Sequence, residues 1–325
     1  MCIRDRVYVE SSLGISSSFS DQEYSEAGAK ICLNVKEVYE ADIILKVEPP
    51  SLQELDYFKH NQCLISALQL KTQKAEYFKK LMDKKVTAVA FDYIKDEAQV
   101  FPIVRSMGEI AGTSSILIAA ELLSTFSGGR GLLMGGIPGV KPTRVVIIGA
   151  GTVAEYAARS AVGLGALVSV FDNSVARLRR MQSDLNFPIA TSIMQPKVLE
   201  KALKRADVAI GALRAKEGRT PCVISDDMVQ KMKPKSVIVD VSIDQGGCFE
   251  TSELTTHESP TFIKHDVIHY GVPNIASRVA KTASFSLSNI LAPLLLEVGE
   301  GGGVKGMLLR SPNIRGGVYL SLIHI

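Results

Sequence analysis

At 325 residues the chain is long enough to fold as two lobes, each with its own core, and 46% hydrophobic against 22% charged residues is the balance of a globular protein rather than a disordered or fibrous one. A formal net charge of +3, with basic residues dispersed between acidic ones, excludes the concentrated positive stripe of a nucleic-acid binder. The most apolar run, near Ile116–Leu123, contains Glu121, and no stretch reaches the roughly 18 uninterrupted apolar residues of a membrane span.

Met1–Arg6 and Ser321–Ile325 have no turn or cap logic joining them to their neighbours, so non-native or truncated termini are expected. Val7–Glu10 reads as a short strand, and Ser20-Asp21-Gln22-Glu23 as a capping box that opens a helix. Ala41–Val47, Cys63–Leu68 and Val86–Asp92 are short apolar runs separated by helical Lys/Glu-rich segments, an α/β alternation. Ser106–Phe126 is a long helical stretch. Gly128–Gly139, in which six of twelve residues are glycine, has the composition of a domain junction. Beyond it, Arg144–Ile148, Leu167–Phe171, Val208–Ala212 and Ser236–Val241 are mostly β-branched runs at helix-length intervals, the signature of a doubly wound parallel sheet. After Asn274 the chain is helical again.

The expected fold is α/β, with a Rossmann unit (residues 106–277) inserted in a second α/β substrate domain, itself made of residues 1–105 and a C-terminal helical return, 278–325. Five scattered cysteines, Cys2, Cys32, Cys63, Cys222 and Cys248, suggest neither a disulfide framework nor a zinc or other metal site, and fit a reducing cytoplasm.

Val145–Ile148 runs into Gly149-Ala150-Gly151-Thr152-Val153-Ala154 and then the helical Glu155–Leu164, a G-x-G-x-x-A motif between strand and helix. Gly149 permits the tight turn, Gly151 lets backbone approach a pyrophosphate, and Ala154 keeps helix and sheet close. Asp172, about 20 residues beyond the glycines, is placed to accept bonds from a ribose 2′-OH and to repel a 2′-phosphate, which favours NAD over NADP. Arg177 nearby tempers that preference.

Ile238–Glu250 (IVDVSIDQGGCFE), Thr255-Thr256-His257, Val267–Asn274 (VIHYGVPN) and Gly128–Pro138 (GGRGLLMGGIP) resemble the alanine dehydrogenases, the most specific element being Asp244–Gly247. The resemblance implies hydride transfer from C2 of L-alanine to NAD, giving pyruvate and ammonia, in a homo-oligomer, with Asp244 as the acid/base group. It also implies Gly108, Thr152, Val153, Ala212, Leu213, Ile243, Val272 and Asn274 as cofactor contacts, beside Gly149, Gly151, Asp172, Arg177 and Asp244 itself. The family pattern further has a carboxylate-gripping lysine and a polarising histidine. Here those positions hold Glu48, in Leu45–Pro49 (LKVEP), and Gln69, in Leu64–Leu70 (LISALQL). The family's substrate arginine is expected before Val7, outside this chain.

Side chains at i and i+2 of a strand share a face, so Lys46 is expected to supply the missing cation, with Glu48 as its ion-pair partner. Gln69 can donate a hydrogen bond to a carbonyl oxygen but cannot carry charge as histidine does. His257, His265 and His269 are candidates for a displaced base, although a lone histidine between Ile268 and Tyr270 is more often a packed structural residue. Two alternatives stand beside this one: a dehydrogenase of a different 2-amino acid, and an NAD(H)-binding module like the transhydrogenase subunit, which passes hydride to a partner domain.

Overall fold

Short apolar runs alternating with helices build two α/β units in a computed structural model that describes residues 6–70, 73–215, 219–300 and 318–320. One unit comprises Met1–Ser106 with Val279–Ile325, the other Met107–Arg278.

In the first unit β1 (Tyr8–Glu10) leads to α1 (Asp21–Glu26), which begins as its sequence dictates: the Ser20 side chain accepts from the Glu23 N–H, and the Glu23 carboxylate accepts from the Ser20 N–H. β2 (Lys30–Cys32) pairs in parallel with β1. After α2 (Val35–Val38), β3 (Ile43–Leu45), β4 (Cys63–Ser66) and β5 (Thr87–Ala90) form a parallel ladder, with α3 (Ala75–Asp83) crossing between β4 and β5. Ile44, Leu64, Ala88 and Ala90 share a core with Tyr39, Leu55, Tyr77 and Leu81. The chain leaves this unit within α4 (Pro102–Leu122), whose first residue is a proline, tolerated there because that position needs no N–H.

The second unit continues with β6 (Arg144–Ile148), α5 (Thr152–Gly163), β7 (Leu167–Phe171), α6 (Val175–Leu185), β8 (Ala190–Ser192), α7 (Pro196–Leu203), β9 (Val208–Gly211), α8 (Asp226–Gln230), β10 (Val237–Asp240), β11 (Thr261–Lys264) and β12 (Val267–Tyr270). The sheet order is β11-β12-β10-β9-β6-β7-β8, parallel except for β11 at the edge, and the reversal of winding falls between β6 and β9. Alternate residues of β6 explain why its run is apolar throughout. Val145 and Ile147 pack with Ile116, Ala157 and Ala161 on one face, while Val146 and Ile148 pack with Leu199 and Leu203 on the other.

The glycine-rich segment Gly128–Gly139 is not a junction. It lies wholly within the second unit, and a Cβ on Gly135 would stand 2.0 Å from the carbonyl oxygen of Leu164, so its glycine serves a close backbone approach.

α9 (Ala280–Glu300) and β13 (Val318–Leu320), antiparallel to β5, belong to the first unit. α9 meets the segment after β1 through a 2.8 Å bond between the Ser284 and Ser17 hydroxyls and an edge-on contact of Phe285 with Phe19 at 5.6 Å. Among the described residues one helical stretch, Ile275–Leu296, is long and apolar enough by length and composition to cross a membrane, although it contains no run of 18 uninterrupted apolar residues. Counting uninterrupted apolar residues misses it because serines, Arg278, Lys281 and Asn289 break the run.

Candidate functional site

The carboxyl end of β6 opens into the turn Gly149-Ala150-Gly151. Gly149 has φ +116°, and a Cβ there would meet the backbone oxygen of Ala212 at 2.5 Å, so the turn requires glycine. Gly151 borders open space and starts α5 without a side-chain cap, which leaves the first N–H groups of the helix, those of Thr152 and Val153 included, available to an anion at the positive end of the dipole. Ala154 is fully buried where helix meets sheet, and Gly108 of α4 packs on Thr152 and Val153. Asp172 at the end of β7 is buried and accepts the N–H of Ala150 at 2.8 Å and of Ser174 at 2.7 Å, with Arg177 3.6 Å away. The expected ribose-reading acid therefore also locks the glycine turn, and each of its oxygens keeps a lone pair for a ligand hydroxyl. This cradle fits a dinucleotide.

Beyond the switch point, the turn after β10 carries Asp244. Val241–Gln245 form a 3-10 turn closed by Gly246 and Gly247, both at positive φ. The segment after β9, which begins with Ala212, is stitched to it: the Leu213 N–H donates to the Ser242 hydroxyl at 2.9 Å and the Ala215 N–H to the Gln245 amide oxygen at 3.2 Å. Ile243 and Val272 are buried beneath, and the Asn274 N–H donates to Asp244 Oδ1 at 2.9 Å. Asp244 is itself exposed. Desolvation raises its carboxyl above the usual range, the Asn274 N–H opposes that, and the neighbouring charge of Asp240 adds to it. A carboxylate whose proton affinity is raised is suited to moving protons.

Lys46 and Gln69 lie in the first unit, after β3 and β4. The partner of Lys46 is Glu54, not Glu48. β3 ends at Leu45, so the face-sharing rule of a strand no longer applies at Glu48, which is exposed. Glu54 also accepts from the Tyr39 hydroxyl at 3.1 Å and the Ser51 N–H at 2.8 Å. Burial alone would raise its carboxyl, but the bonds from Lys46 and Ser51 outweigh it and hold the value at about 2. The sequence reading missed Glu54, and an acid eight residues after a strand-end lysine offers no periodic signal. Gln69 is exposed with φ +48°, a left-handed conformation uncommon for a residue with a side chain.

His269 cannot act as a displaced base. It is buried in β12, stacked on Phe262 at 4.8 Å, with Nε2 2.8 Å from the Thr251 hydroxyl and Nδ1 3.0 Å from the Val267 carbonyl. His265 pairs with Asp226 at 2.7 Å, and His257 bonds the Ser277 hydroxyl at 3.0 Å, which in turn donates to the Asn274 carbonyl.

A glycine turn into an uncapped helix, an acid at the next strand end and this strand order place the second unit in the class of Rossmann dinucleotide-binding domains. Residues 5–111 match the family described as alanine dehydrogenase/PNT, N-terminal domain, and residues 115–323 its C-terminal domain. The chain is 38% identical to an alanine dehydrogenase of Methanococcus maripaludis over 96% of its own length and 84% of the relative's, and 38% identical to one of Bacillus subtilis over 98% and 84%. An L-alanine dehydrogenase structure superposes with a TM-score of 0.91 at 35% identity, covering 98% of this chain and 88% of that one. A transhydrogenase from Sinorhizobium meliloti superposes at 0.79 and 26% identity, covering 89% and 84%. The chain belongs to the alanine dehydrogenase/PNT family, and that membership implies a pyridine nucleotide cofactor.

Proposed function

We propose that the chain catalyses the reversible, NAD-dependent oxidative deamination of L-alanine to pyruvate and ammonia. The observation that carries the reading is the placement of Asp244: an exposed carboxylate held by the Asn274 N–H at 2.9 Å in the turn after β10 of a Rossmann unit. NAD, when bound, would supply the hydride acceptor for C2 of the amino acid. Gly149, Gly151, Thr152 and Val153 would hold its pyrophosphate, Asp172 its ribose, with Arg177 shielding that acid's charge, and Gly108, Ala212, Leu213, Ile243, Val272 and Asn274 would line its path. Asp244 would accept a proton from the water that adds to C2 of the imine, hand it to the nitrogen, and accept the hydroxyl proton as ammonia leaves and the carbonyl forms. Lys46 would contribute positive charge toward the substrate carboxylate, and Gln69 a hydrogen-bond donor toward the carbonyl.

The buried thiols Cys32, Cys63 and Cys248 suit a cytoplasmic protein, and the outward apolar side chains of α9, Phe285 and Leu296 among them, suit a homo-oligomer in which a second copy covers them. The domain scheme proposed assigns residues 1–105 and 278–325 to the substrate domain and 106–277 to the NAD domain. The presence of Glu48 and Gln69 where the family has lysine and histidine favours, as a second reading, a different 2-amino acid as substrate. NADH oxidation followed with pyruvate and ammonium, in the wild type and in Asp244→Asn, tests the proposal: turnover that disappears in the variant supports it, while tight NADH binding without turnover on pyruvate moves the assignment to another 2-oxo acid.

A further inference from the structure

Asp240 ends β10 as a carboxylate only 1% exposed in the middle of the protein, an expensive place for a charge unless it is surrounded by donors. Every neighbour bonded to it is a donor. Oδ1 accepts the Ser242 N–H at 3.0 Å and the Cys248 thiol at 3.7 Å, and Oδ2 accepts the Cys248 N–H at 2.9 Å, the Ser252 hydroxyl at 2.7 Å and, at a longer 3.5 Å, the Phe249 N–H. Donors converging on both oxygens are the surroundings that a buried carboxylate requires.

The space for it is made by two glycines. A Cβ on Gly211 at the end of β9 would stand 2.3 Å from Oδ1, and one on Gly247 would stand 2.8 Å from Oδ2. Ser242, Cys248, Phe249 and Ser252 bracket Asp244 in sequence, so one buried group grips both ends of the turn that carries the exposed acid. The Ser242 hydroxyl, held by that grip, is also the acceptor for Leu213 N–H, which ties in the segment after β9.

We propose that Asp240 is a positioning residue for proton transfer, its buried carboxylate fixing the turn Val241–Ser252 so that Asp244 is presented in one orientation and within reach of its charge. This rests on the reading of Asp244 as the acid/base group. Asp240 touches no reacting atom; it acts through Asp244. The charge of Asp240 favours the protonated form of Asp244, on top of desolvation and against the Asn274 N–H. Among the described residues, the other charged or titratable groups on or bonded to the turn include Glu250, whose carboxylate accepts the Asp226 N–H at 2.8 Å, His269, 2.8 Å from the Thr251 hydroxyl, Arg219, whose guanidinium donates to the Gly246 carbonyl at 3.1 Å, and the thiols of Cys222 and Cys248.

The test uses the full chain labelled with 13C at aspartate carboxyls, in which the Asp244 resonance is identified by its loss in Asp244→Asn. In Asp240→Asn the Asp244 titration midpoint is expected to move to lower pH, because a like charge has gone, and kcat on pyruvate and ammonium to fall about 100-fold, the scale of a small misplacement, with NADH affinity within about threefold of wild type. Ser252→Ala keeps the charge and removes one anchor, and should lower kcat about threefold with the Asp244 midpoint unmoved. A role confined to fold stability would lower only the melting temperature. An unmoved Asp244 midpoint in Asp240→Asn overturns the proposal, as does an unchanged kcat in Ser252→Ala, which decides the matter if Asp240→Asn fails to fold. Should Asp244→Asn retain wild-type turnover, the acid/base reading itself fails, an outcome separate from both.

Discussion

The Thr251–His269 pair makes acid stability a quantitative test of how the second sheet is built. Burial lowers the His269 pKa from its ordinary 6.5 to about 4, the bond to the Val267 carbonyl opposing that only in part. The folded value lies below the unfolded one, so the unfolded chain takes up the proton first. The associated stability is complete above pH 6.5 and is lost as pH falls toward 4. Linkage over that interval gives a loss of about 2 kcal/mol between pH 7 and pH 5, and about 3 kcal/mol once both states are protonated. Replacing both partners by apolar groups, in Thr251→Val with His269→Leu, removes the titration and the hydroxyl–imidazole bond together; it also withdraws the imidazole bond from the Val267 carbonyl, and should cost about 1–3 kcal/mol at pH 7, a constant offset across the pH range. Urea unfolding midpoints measured from pH 7.5 to pH 4.5 separate the two chains: the wild type is expected to lose about 2 kcal/mol more than the double variant by pH 5. Parallel pH profiles would refute the reasoning.

Gly149→Ala sets a side chain against the Ala212 carbonyl at positive φ, and should weaken NADH binding more than about tenfold in a fluorescence titration while destabilising the chain by about 1–3 kcal/mol. Lys46→Met leaves Glu54 without its cation. Glu54 titrates near 2 in the folded chain against an ordinary 4.5, so the pair stabilises above pH 4.5 and ceases to as pH falls toward 2. Since both side chains retain some solvent contact, about 1 kcal/mol is expected to be lost at pH 7 and less at pH 3, measured by urea unfolding. Asp172→Asn keeps the shape of the bond to Ala150 but removes the repulsion of a 2′-phosphate, so the ratio of NADPH to NADH dissociation constants should narrow about tenfold.

The second unit was legible from sequence because its signals are local and repeated. A strand buried on both faces must be apolar at every position, and β6, β7, β9 and β10 stand within a residue or two of where their runs place them. β8 and β11 are edge strands of three and four residues, half solvated, and nothing in their composition distinguishes them from loop. The Gly128–Gly139 segment misled because glycine marks flexible linkers and tight packing alike; only the proximity of Leu164 to Gly135 tells them apart. Side-chain partnerships were the least legible. Lys46 finds Glu54 because the strand ends one residue before it, and Asp240 gathers donors from residues up to twelve positions away. The tandem of an acid closing a buried strand and a Gly-Gly pair six and seven residues later was the available hint.

The most direct measurement of the account is to supply L-alanine carrying deuterium at C2 together with NAD, and to examine the NADH formed by mass spectrometry and proton NMR. Hydride transfer from C2 predicts one deuterium at the nicotinamide C4 of the product, pyruvate in equal amount, and none of either with Asp244→Asn. NADH without deuterium, or no NADH from L-alanine under conditions where the chain binds NADH, would contradict it.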